Sequence, residues 1–186
     1  MVNPLTGGYW VATHDADPCV VTLYERHYSA DPAKNGHHRS GISGPSERMV
    51  LLATDGRALW VWRLMLPPTE RISKLAQPDK RRARKGLAVG EDTSSYFGEQ
   101  YGVMCSVFRN ESEILSSTLI REAVELAWGR WPGQRLFTYV WDNRVRSPNP
   151  GYCYKVAGFR FCGRTKDSRL SILELLPPTA RLPGTG

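Results

Sequence analysis

The sequence predicts a mixed α/β (α+β) fold, a twisted central sheet of about six or seven strands flanked by helices. Three observations carry that prediction. Residues 102–110 place Val103, Cys105 and Val107 at alternate positions against Met104 and Ser106, as a short half-buried strand would. The next stretch sets Leu115, Leu119, Ala123, Leu126 and Ala127 on one face at helical spacing, with Arg121, Glu122 and Glu125 on the other. Residues 135–141 then read as a second strand, and strands joined by a helix of this length imply a crossover and parallel neighbours.

The remaining elements follow in order. Residues 8–12 (GYWVA) read as a first short strand. Asp17-Pro18 is a helix start, because Asp caps the first free N–H groups and Pro suits the first helical position. Val20, Tyr24, His27 and Tyr28 share one face of a helix ending near Ser29. Residues 29–46, rich in Gly, Pro, His and Ser, read as a surface loop. Residues 49–64 are a predicted hairpin, in which Asp55-Gly56 supplies the positive φ a tight turn needs. Residues 67–101 read as a long basic linker or loop containing Lys80 to Lys85 (KRRARK). Residues 151–159 compress a short helix and a stop at Gly158, two strands follow, and residues 177–186 are expected to fray. The predicted order is β-α-loop-β-β-linker-β-α-β-α-β-β within one domain, 1–186.

Composition bounds the function. The chain has 186 residues, 41% apolar, so it can bury a globular core. No apolar run reaches the ~20 residues of a membrane span and no secretory leader is read, which points to a cytoplasmic protein without a membrane partner. Cys19, Cys105, Cys153 and Cys162 form no Cys-x-x-Cys pair and read as reduced thiols. A net charge of +7 favours an anionic partner.

Several residues carry candidate chemistry. His27 and Tyr28 end the first helix, where the negative dipole end favours a protonated imidazole; they either shuttle a proton or pack the helix on the sheet. A metal at His27, with His37 or His38, is a weak alternative, since the spacing matches no known ligand set. Asp142 follows a strand end, where α/β folds place their chemistry, and is either a general base or a turn residue. Ser116 and Ser117 near a helix N-terminus can hold an anionic or carbonyl donor group, or cap the helix. Lys80, Arg81, Arg82, Arg84, Lys85, Arg144, Arg146 and Lys155 can track phosphates, or be solvated surface.

The element order resembles the GCN5-related N-acetyltransferase (GNAT) fold, and Tyr154-x-x-x-Gly158-Phe159 is similar to the usual form of its last helix and following strand. The resemblance implies a sheet splayed at its central strands. Members of that family cradle the coenzyme A pyrophosphate in a Gly-rich turn, whereas here the same place, Arg109 to Ser117, holds no glycine and two carboxylates. That departure argues against routine acetyl-CoA use and leaves the cofactor unknown, with Arg109, Asn110, Ser116 and Ser117 as candidate donor-binding residues. The ending His27-Tyr28-Ser29, the Tyr-rich run 151–159 and Gly163-Arg164-Thr165-Lys166 together resemble the Mom DNA-modification family of bacteriophage Mu. The resemblance implies a phage or prophage transferase that adds a carbamoylmethyl or acyl-type group to the N6 amine of adenine in DNA, as protection from restriction. The resemblance to the GNAT fold also implies that a tyrosine at the start of the last helix serves as general acid; Tyr152 is the candidate, since Tyr152 and Tyr154 point apart on a helix, with core packing as its alternative role. The adenine would swing out of the stack and rest on an aromatic side chain, with Trp128, Trp131, Tyr28 and Tyr152 available. Two other functions fit the residues: an N-acetyltransferase acting on a small or protein amine, and a non-catalytic nucleic-acid-binding module.

Overall fold

Gly56 takes φ 71° in the turn that joins β2 (Arg48–Ala53) to β3 (Ala58–Met65), and its N–H bonds the Ala53 carbonyl at 2.8 Å. The predicted hairpin is therefore present. The computed structural model describes residues 8–30, 42, 46–65, 100–145, 147–165 and 170–178. These form a seven-stranded mixed sheet and three helices. The other strands are β1 (Trp10–Thr13), β4 (Gly102–Asn110), β5 (Leu136–Trp141), β6 (Arg160–Arg164) and β7 (Leu170–Leu175). The helices are α1 (Pro18–Glu25), α2 (Ser116–Arg130) and α3 (Tyr152–Val156).

The strand order is β1-β2-β3-β4-β5-β7-β6. Only β4 and β5 are parallel; the other neighbours are antiparallel. The expected parallel character thus shrinks to one central pair. β6 forms the outer edge, and β7 returns between it and β5.

β3 is apolar without alternation because both its faces are covered. Leu59 and Val61 pack with Val20 and Leu23 of α1, while Trp60 and Trp62 join the core beneath α2. Two tryptophans also tie α2 to the sheet. The indole N–H of Trp10 donates to the Leu119 carbonyl and that of Trp62 to the Ala123 carbonyl, both at 2.9 Å.

Three predicted details differ. α1 stops at Glu25 rather than near Ser29, because the N–H groups of Arg26 and His27 both turn to the Tyr24 carbonyl. Leu115 is 72% exposed, since it caps α2 and precedes its apolar stripe. Glu122 and Arg121 are not idle surface. Glu122 accepts the N–H of Tyr9 at 2.9 Å and of Trp10 at 3.3 Å, stapling the start of β1, and Arg121 donates to the Val156 carbonyl of α3 at 2.8 Å. Glu122→Ala should lower stability by about 1–2 kcal/mol, read as a shifted urea midpoint. An unchanged midpoint would show that the staple contributes nothing.

Among the described residues no helix is long and apolar enough to cross a membrane. All four cysteines are free thiols.

Candidate active site

β4 and β5 pair only at Val103 with Leu136, Met104 with Phe137, and Cys105 with Thr138. The separation coincides with a bulge. On the β3 side Val61 faces Val107 and Trp62 faces Cys105, which leaves Ser106 as an extra residue in β4. A bulge bends its strand and adds twist, so β4 veers off where its ladder with β5 ends. The Thr138 hydroxyl closes that ladder on the Cys105 carbonyl at 3.2 Å. A cavity of about 160 Å³ fills the wedge, with β4 and β5 as walls and with His27, Tyr28, Cys153 and Tyr154 completing its lining.

The groups facing this cavity are held neutral. Tyr154 is buried, its Oη 3.6 Å from the Cys105 Sγ, and its ring is packed by Trp60, Phe108 and Phe159. Burial raises its phenol well above the ordinary value and pushes the Cys105 thiol up to about 12. Tyr28 as a residue is 41% exposed, yet burial pushes its phenol up to about 12, a backbone hydrogen bond from Trp141 opposing the rise. Among the described residues no carboxylate lines the cavity.

His27 departs from the dipole-based expectation. It is 7% exposed, its Nδ1 lies 2.7 Å from Ser29 Oγ, and its ring bonds the Phe108 carbonyl. Burial, then the charge of Arg109, lowers its pKa to about 4. A drop of that size is worth roughly 3 kcal/mol, more than the ~0.3–2 kcal/mol supplied by a helix end. The ring is therefore neutral at pH 7. The unfolded chain binds this proton below about pH 6.5, so stability present above that pH is lost as pH falls toward about 4. His27→Gln should flatten the stability-pH curve across that window in urea titrations; parallel curves for the two proteins would contradict the assignment.

The structure sorts the predicted site residues. His27 and Tyr28 line the wedge, and Tyr154 lines it where Tyr152 was expected; Tyr152 is 60% exposed and outside the lining. Gly151 precedes α3 at φ 74°, and the tyrosine that α3 buries is Tyr154, packed on Trp60 and Phe159. Asp142 turns away from the wedge, accepting from Ser171 Oγ at 2.8 Å and pairing with Arg164 at 2.8 Å. Trp128 lies in the last turn of α2 and Trp131 caps its end; both are outside the lining, with their indole N–H groups on the Gln134 carbonyl and Glu47. Cys105, Ser106, Thr138 and Cys153 line the cavity but carried no sequence signal.

The donor-binding candidates form a separate, closed turn. Asn110 Nδ2 donates to the Ile114 carbonyl at 2.8 Å and to Ser116 Oγ at 3.1 Å, while its Oδ1 accepts from the Ser112 N–H at 2.9 Å. Arg109 and Arg26 both bind Glu111, which their hydrogen bonds hold down to about 2. Ser117 lies in the first turn of α2. Of the basic candidates, Arg144 lies over the Trp141 ring and Lys155 donates to Asn149 Oδ1 at 2.6 Å. Lys80, Arg81, Arg82, Arg84, Lys85 and Arg146 lie outside the described residues, as do His37 and His38. Among the described residues no group of three or more His, Cys, Asp or Glu could hold a metal ion.

No family model, curated protein or solved structure matches this chain. A larger hollow of about 710 Å³ lies between β1, β2 and α2, but its buried Asp15 is already paired with Arg48 at 2.9 Å, and among the described residues no Tyr or Cys lines it. The wedge, though smaller, is the better candidate, because proton donors converge on it. The turn 109–117 does not fit a pyrophosphate. The Asn110 side chain holds it shut, and its flanking arginines are taken up by Glu111.

Proposed function

We propose that this chain is a base-modifying transferase of GNAT-like architecture, similar to the Mom family, which adds a small group to the N6 amine of adenine in DNA. The observation that carries the reading is the wedge: three paired residues of β4 and β5, a bulge at Ser106, and a cavity facing the neutral phenols of Tyr28 and Tyr154. The strand order and the splay support the GNAT-like reading. The closed, glycine-free turn supports a donor other than coenzyme A. The net charge of +7 supports DNA as the partner.

The step is a transfer. The N6 lone pair forms a C–N bond to the donor carbon, and that carbon's bond to its leaving group breaks with its electron pair. Tyr154, kept protonated by its desolvated setting, gives a proton to the leaving group. The proton lost by N6 replaces it, so one proton passes from amine to leaving group. His27 stays neutral and positions the end of α1 against Phe108.

Restriction sensitivity tests this reading. Plasmid recovered from cells expressing the protein should resist enzymes whose sites contain adenine, while control plasmid is cut. Equal cutting of both, with the protein folded and abundant, counts against base modification.

A further inference from the structure

Arg144 is held unlike its neighbours. Among the described residues each other arginine is bound by a carboxylate, a carbonyl or a hydroxyl. Arg144 has no carboxylate partner among them; its guanidinium carbon lies 4.9 Å from the centroid of the Trp141 ring, and the residue is exposed. The placement is fixed by the turn after β5, in which the N–H groups of Arg144 and Val145 return to the Trp141 carbonyl at 2.9 and 3.2 Å. This turn borders the wedge. Val145 lines the cavity, and the Trp141 backbone bonds the Tyr28 phenol at its rim.

A guanidinium is planar and weakly hydrated, and it stacks on aromatic faces. With one face toward an indole, its other face is open to a second flat group. Nucleobases that are out of the helical stack bind such planes, whereas a phosphate contact rests chiefly on positive charge, which Lys retains as a point charge.

We infer that Arg144, laid over Trp141, is a stacking shelf for a nucleobase swung out of DNA, set beside the wedge so that the base's amine enters past Tyr28. This rests on the reading of DNA as the partner and replaces the expectation that Arg144 tracks phosphates.

The test titrates wild type, Arg144→Lys, Arg144→Ala and Trp141→Ala with a short single-stranded oligonucleotide and with its duplex, at several salt concentrations. Both side chains lie at least partly at the surface, and circular dichroism checks that each variant folds. Arg144→Lys should keep the salt slope of wild type yet bind the single strand roughly five- to 150-fold more weakly, and Trp141→Ala should match that loss with its charge intact. Arg144→Lys equal to wild type, with Arg144→Ala reducing the salt slope by about one, would identify a phosphate contact and overturn the shelf. Wild type that binds neither oligonucleotide would overturn the DNA reading, and the shelf with it.

Discussion

Tyr154→Phe is expected to cut base modification by about 10²–10⁴-fold, the usual contribution of a positioned proton donor, while the protein stays folded. The ring sits among Trp60, Phe108 and Phe159, and Phe preserves that packing. The hydroxyl lost has a long contact to Cys105 Sγ, 3.6 Å, and Cys105 keeps its bond to the Val107 carbonyl. The stability cost is therefore no more than about 1 kcal/mol. Tyr152→Phe is the matching control. That side chain is outside the cavity lining, so its loss should leave the yield of modified adenine unchanged. A large loss in Tyr152→Phe with little in Tyr154→Phe would reverse the assignment.

Gly102→Ala is expected to cost about 3–5 kcal/mol, enough to threaten the fold of an ordinary domain. Gly102 opens β4 at φ 115°, where a side chain is strained, and an added Cβ would stand 2.5 Å from the Arg135 carbonyl oxygen. That oxygen accepts the Val103 N–H at 2.8 Å, the bond beside the first pair of the short β4–β5 ladder. The substitution thus attacks the pairing that defines the wedge. Gly133→Ala separates strain from clash. Its φ is 74° with nothing within 4 Å of the added atom, so only about 1 kcal/mol should be lost there. Equal midpoints for the two variants in urea would contradict the crowding at Gly102.

Much of the fold was legible because its signals are local. Asp17-Pro18 starts a helix whether or not anything packs on it, and Gly158 ends α3 at φ 101° as its place in the sequence implied. The stripe from Leu119 to Ala127 marked the buried face of α2. The site was less legible because its determinants are distant in sequence. Tyr152 and Tyr154 are equivalent in pattern, and only the packing of α3 on Trp60 and Phe159 selects Tyr154. His27 looked like a dipole-stabilised cation, but the surrounding burial is tertiary and outweighs the helix end. Asp142 carried the residue type and position of a base, yet Arg164 and Ser171, more than twenty residues away, engage it. Asn110 closes its own turn through bonds no composition rule specifies.

Mass analysis of nucleosides most directly tests the claim that the splay of β4 and β5 houses transfer to a base. DNA from cells expressing wild type and, separately, Tyr154→Phe would be digested completely and compared. The account predicts a heavier deoxyadenosine species with wild type that disappears with Tyr154→Phe. Unaltered deoxyadenosine in both samples, with the proteins shown to be folded, would contradict it, and so would an undiminished adduct from Tyr154→Phe.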